Sequence, residues 1–124
     1  MAIITLRAYR ELISLEPYLT RKDFAGLYSR VRNQEIGIPV NAPHIAENIC
    51  TAVDLACIWY WKQVLCLQRS AATACLLKRH GISAQLMIGA QQMPFKAHAW
   101  VEVNGIVVND KPYIREIYAV LDRC

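Results

Sequence analysis

The sequence predicts an α+β protein. Apolar positions recur at helical spacing through its first two thirds, alternate with polar ones after Gly81, and flank an Asn104-Gly105 pair that marks a tight hairpin. Helices first and a small antiparallel sheet after them is the order this gives. We expect one domain over 1–124, with an N-terminal helical part over 1–61 and a final helix plus sheet over 62–124.

In the first helix, 3–16, Leu6, Tyr9, Leu12 and Ile13 fall on one face, and Pro17 separates it from a second helix over 21–33. That second helix aligns Phe24, Leu27, Tyr28 and Val31. Residues from Gly37 to Pro43 read as a loop. A third helix starts near Pro43, with Asn41 as its N-cap and Ile45, Ile49, Val53 and Ala56 facing inward, and runs towards Trp59. The fourth, from Cys66 to His80, is the best bounded: Lys78, Arg79 and His80 bring cations to the negative dipole end, and Gly81 fits the position just past it. Ala84, Leu86 and Ile88 then alternate as a strand, and Gly89 opens a polar loop through Pro94. Strands over 97–103 and 106–110 enclose Asn104-Gly105, and the apolar tail from Tyr113 to Leu121 has no decisive period.

Composition excludes several classes. A net charge of +4, spread along the chain, lacks the coherent basic stripe of a nucleic-acid surface and supports no more than a mild attraction for acidic peptides. No apolar run is long enough to span a membrane, and the one from Ala2 to Leu6 is too short for a signal peptide. Five cysteines cannot all pair within the chain and form no Cys-x-x-Cys, so free thiols in a reducing, cytoplasmic setting are expected. An apolar content of 55% with a mean hydropathy of +0.19 implies either an unusually complete core or apolar surface that a partner covers, and we expect the partner.

Cys66 stands at a helix N-terminus, where unpaired backbone N–H groups and the positive dipole end favour a thiolate, with Arg69 one turn along. The commoner role of a cysteine is a small buried hydrophobe, which suits Cys50, Cys57 and Cys75; Cys124 is terminal and expected to be exposed. Strand alternation puts His98, Trp100 and Glu102 on one face, so that Trp100 can shield a base working near neutral pH. His80 has a sufficient role as a helix-end cation. His44 with Cys50, and Cys75 with His80, are spaced unlike any zinc module, so we expect no metal and no cofactor. Ser70 reads as a helix-packing residue.

The runs Cys66-Leu67-Gln68-Arg69-Ser70, Leu76 to Ile82, Pro94 to Glu102 and Asn109-Asp110 resemble the transglutaminase-like leader peptidases of lasso-peptide biosynthesis. The resemblance is strong over 66–110 and loose before it, and the order Cys, His-Ala-Trp-Val-Glu, Asp is that of the wider clan. It implies a transglutaminase-like, papain-like core with Cys66 as nucleophile, His98 as base and Asp110 as the residue that orients the base. Acyl transfer to sulfur would follow, with the Cys66 N–H as one oxyanion donor and Gln63 or Trp61 as a second. An acyltransferase or amidase of the same clan, or a binding module that has lost the chemistry, are the alternatives. The implied partners are the precursor peptide's leader, a small separate leader-recognition protein and an asparagine-synthetase-like cyclase. Trp59, Tyr60 and Trp61 form a candidate contact patch, unless they cap the core instead.

Strand geometry leaves one tension. A two-residue turn at Asn104-Gly105 places Trp100 opposite Asn109 and Ala99 opposite Asp110, so Asp110 would point away from His98. Either a bulge or longer loop shifts the register, or the strand ends early and the chain bends before Pro112, or Asn109 is the orienting residue.

Overall fold

The computed structural model describes residues 2–40 and 44–124. Its elements run α1 (Ala2–Thr20), α2 (Phe24–Asn33), α3 (Ile45–Trp59), α4 (Cys66–Arg79), β1 (Ala84–Gln92), β2 (Phe95–Val103), β3 (Ile106–Val107), α5 (Ile114–Ile117) and β4 (Ala119–Arg123). The strands form one antiparallel sheet in the order β3-β2-β1-β4, so the architecture is α+β. The expected N-cap Asn41 and the start at Pro43 lie outside the described residues.

α4 is the pivot. Ten of its residues, from Gln68 through Ser70–Lys78, are buried, which its run of small side chains permits by letting neighbouring elements approach closely. Leu12 and Leu15 of α1, Leu27 and Val31 of α2, and Ile49, Val53 and Ala56 of α3 close around it on one side. Leu86, Ala99 and Val101 cover it from the sheet. A second, smaller core of Met87, Trp100 and Ile114 lies on the opposite face of the sheet, where α5 supplies Ile114 and Val120 of β4 packs alongside. Alternation along β2 sorts its residues between the two cores.

The helix end at Gly81 is built as the sequence predicts. Gly81 has φ +84°, its N–H donates to the Lys78 carbonyl at 3.0 Å, and Ile82 N–H donates to Leu77 at 3.0 Å. Lys78 is buried and reaches across to donate to the Val31 carbonyl at 2.7 Å, closing the end of α2. The buried His80 ring is held at the Leu76 carbonyl by Nδ1, at 2.8 Å.

Several expectations are corrected. Pro17 lies inside α1, in its last turn, where the missing N–H forfeits a single hydrogen bond. The buried face of α1 is Ala8, Glu11, Leu12 and Leu15, while Leu6 and Ile13 are exposed. α2 begins at Phe24 because the Asp23 carboxylate accepts from Gly26 N–H at 3.0 Å, capping it three residues after the expected start at 21. β1 continues through Gly89 to Gln92, and only Met93-Pro94 form the turn. Gly89 is a strand residue paired with His98, and glycine is required there because a Cβ would lie 2.7 Å from the Trp100 ring, which packs across it. The tail folds as α5 and β4. Cys124 is buried, exchanging two backbone hydrogen bonds with Leu86.

Candidate active site

The chain enters α4 through 60–65, and buried polar contacts fix that approach. Tyr60 is buried and its hydroxyl donates to Glu16 Oε1 at 2.8 Å. Gln68 Nε2 donates to the Leu12 carbonyl at 3.0 Å, and Lys62 pairs with Glu16. Burial opposes ionisation of Glu16, but the donors around it, Lys62 foremost, outweigh that and hold its pKa below the ordinary value. Leu65, the N-cap of α4, offers no side-chain acceptor, so the first-turn N–H groups lack the usual cap. Cys66 opens this turn, half-buried. Arg69 stands 3.7 Å from Asp54.

His98 comes from β2. β3 pairs with β2 only at Glu102 and Val103, so β2 is an edge strand where His98 sits. Asn104 and Gly105 both have positive φ, as a two-residue primed turn requires, and the register stays Val103 to Ile106. After Val107 the chain leaves the sheet, and Val108 N–H makes a last bond to the Val101 carbonyl at 3.0 Å. Asn109 then takes the place of a strand: its Oδ1 accepts from Val101 N–H at 2.8 Å. Its Nδ2 donates to Ser70 Oγ at 3.0 Å, and Ser70 donates to the Ala99 carbonyl at 3.0 Å. This clamp joins α4, one turn past Cys66, to β2 on either side of Trp100.

The bend carries Asp110 around to His98, whose Nε2 lies 2.6 Å from Asp110 Oδ2. The early strand end thus resolves the register tension, with the two-residue turn intact and no bulge in β2–β3. Burial opposes the Asp110 charge, but the bonds from His98 and from Lys111 N–H outweigh it and hold its pKa below the ordinary carboxylate value. An ionised carboxylate can only accept, so Nε2 is the donor in this pair.

His98 and Cys66 line the same cavity, of about 100 Å³, with Tyr28 and Ile88 among its walls. Tyr118 stacks on the His98 ring at 5.1 Å between centroids, and Trp100 stands at 6.2 Å. Trp100 is fully buried and so supports His98 from within the sheet rather than lining the cavity. Trp100 Nε1 donates to Glu102 at 2.8 Å, and Arg115 Nε bonds the same carboxylate at 2.6 Å, which ties α5 and the neighbouring Tyr118 to the sheet. Here too burial raises the Glu102 pKa, and the bonds from Arg115 and Trp100 lower it further, below the ordinary value.

Gln63 and Trp61 are exposed and do not line this cavity. Trp59 and Trp61 are 76% and 67% exposed, whereas Tyr60 belongs to the core because its hydroxyl has Glu16 to bond, so of the three only the two tryptophans are left at the surface. Sequence reasoning missed Tyr118, whose segment lacked a clear period, and the clamping roles of Ser70 and Asn109. Asn109 followed by Asp110 after a hairpin was the available signal. All five cysteines are unpaired. Burial pushes Cys50, Cys57 and Cys75 up to about 11. Among the described residues no group of three or more His, Cys, Asp or Glu side chains is placed to hold a metal, and no helix is long and apolar enough to cross a membrane.

Comparison with known proteins gives two matches. A family model described as the transglutaminase-like superfamily matches residues 7–123. The microcin J25-processing protein McjB of Escherichia coli is 43% identical over 56 residues, which are 45% of this chain and 27% of McjB. The chain therefore spans little more than a quarter of that relative's length along the match. No solved structure matches.

Proposed function

The chain belongs to the transglutaminase-like superfamily, and from that premise we propose that it is a cysteine peptidase that removes the leader from a ribosomally made lasso-peptide precursor. The similarity to a microcin J25-processing protein supports a peptide precursor as substrate. The observation that carries the chemistry is the His98–Asp110 pair at 2.6 Å, whose histidine shares one cavity with a cysteine at the start of an uncapped helix.

In this reading Asp110 holds the His98 ring with Nε2–H towards itself, so that Nδ1 takes the proton from the Cys66 thiol. The thiolate attacks the scissile carbonyl, and the Cys66 N–H at the start of α4 donates to the developing oxyanion. Nδ1–H then protonates the leaving amine, the C–N bond breaks, and a thioester remains on Cys66. Water, deprotonated by the same nitrogen, attacks the thioester and releases the carboxylate and the thiol. Tyr118 and Trp100 keep the ring in plane and limit its exposure to water.

Incubating the precursor with the protein and weighing the products tests this. We expect leader and core, with free carboxylate on the leader, and no cleavage by Cys66→Ala in a folded chain. Products in which an added amine replaces water throughout would establish the acyltransferase alternative. Intact precursor in both reactions would favour the non-catalytic one.

A further inference from the structure

A larger cavity, of about 600 Å³, opens at the other end of α4. Arg7, Arg10 and Glu11 of α1, Arg30 of α2, Glu35, and Arg79 at the end of α4 contribute its charged walls. Four guanidinium groups therefore face two carboxylates. Glu11 is buried and already committed, paired with Arg79 and 3.5 Å from Arg30. Arg30 spends one terminal nitrogen on Ser14 Oγ at 2.9 Å, yet its buried Nε has no hydrogen-bond partner. Arg7 and Arg10, three residues apart and so on one face of α1, make no ion pair or hydrogen bond among the described residues.

Such a wall has more donors than its own carboxylates can use. Arginine forks match carboxylates two bonds at a time, and a concave surface of one sign concentrates its field. The volume lies in the range of ligand pockets and far exceeds the roughly 30 Å³ a single water or small ion occupies, so the cavity takes a chain segment rather than a lone ion. α4 has 14 residues, so the cavity is about 20 Å from Cys66, which about six extended residues would cover in a straight line and more around the surface.

We propose that this cavity binds acidic side chains of the peptide substrate, at least about six residues from the scissile bond. The proposal rests on the peptidase reading for the identity of the peptide, but the site itself can be tested without catalysis.

The probe is a fluorescein-labelled decapeptide of alternating Glu and Ser, titrated with the full chain and read by anisotropy, alongside its Gln-for-Glu counterpart and inorganic phosphate as competitor. We expect saturable binding of the Glu peptide only, weakened by 0.5 M salt as roughly a 4 Å Debye length would dictate. Arg7→Ser with Arg10→Ser, both exposed positions, should weaken it at least about tenfold. Arg21→Ser with Lys22→Asn removes the same charge outside the cavity and should leave it unchanged. Equal weakening by both pairs would reduce the effect to net charge and overturn the proposal. So would phosphate binding without peptide binding, or no binding at all. Cys66→Ala should bind the Glu peptide like the wild type. If it does while no precursor is ever cut, the peptidase reading falls and the acidic-peptide site stands.

Discussion

Asp110 and Asn109 are neighbours in sequence with different work in the structure. Asp110 meets His98, while Asn109 satisfies Val101 N–H and Ser70. In the proposed mechanism Asp110→Ala should lower kcat by up to about four orders of magnitude. Asn109→Ala should cost less in rate and more in stability, about 1–3 kcal/mol for the unpaired buried groups, read by chemical denaturation. The opposite ranking would make Asn109 the orienting residue. The pH dependence has a definite sign. The Asp110 pKa is depressed on folding, so its contribution to stability is full above its ordinary value of 3.8 and is lost as pH falls through its lower folded value. The stability gap between wild type and Asp110→Asn should therefore close in acid. At this scale the sequence was informative about types and poor about directions. Counting residues from the turn correctly kept the register but could not reveal that an asparagine side chain would replace a strand and swing the next residue to the other face.

Elements with local signals are legible, and those decided by tertiary contacts are not. The end of α4 is fixed by Gly81 and the cations before it, and the structure adds a reason for glycine beyond its φ: a Cβ there would meet the Pro39 backbone at 2.3 Å. Gly81→Ala should therefore destabilise by about 2 kcal/mol or more, combining a left-handed backbone penalty with displacement of the 37–40 segment, and lower Tm by several degrees. A change within 0.5 kcal/mol would mean that this segment yields freely. By contrast, α1 runs past Pro17, and its buried face includes Ala8 and the charged Glu11 because Arg79 and Arg30 wait there. No periodicity in the sequence marks a glutamate as inward. α5 and β4 likewise form through tertiary contacts, Ile114 packing on Met87 and Trp100 and β4 pairing with β1, which are visible only once the sheet exists.

At the scale of the whole molecule, the α+β order was readable from the apolar periodicity and the family from the residues around Cys66 and His98, whereas the two-sided core and the arginine-lined cavity were not. Ile58, Trp59, Trp61 and Leu65, in the segment that leads into α4, are exposed. We expect a small leader-recognition protein to cover some of them and to present the precursor. Such tethering raises the local concentration of substrate, so the partner should lower the apparent KM for full-length precursor and leave a short peptide spanning the cleavage site unaffected. Equal efficiency on the full precursor with and without the partner would contradict this. The central claim, that Cys66 is the activated thiol and His98 its base, is tested most directly by the site-resolved rate of alkylation with iodoacetamide at pH 7, followed by mass spectrometry. With pKa values of about 11, Cys50, Cys57 and Cys75 expose only about one thiolate in ten thousand at that pH. The account predicts that Cys66 is labelled well before the other four cysteines and that His98→Ala slows Cys66 alone; first labelling at any other cysteine, or a Cys66 rate indifferent to His98, would contradict it.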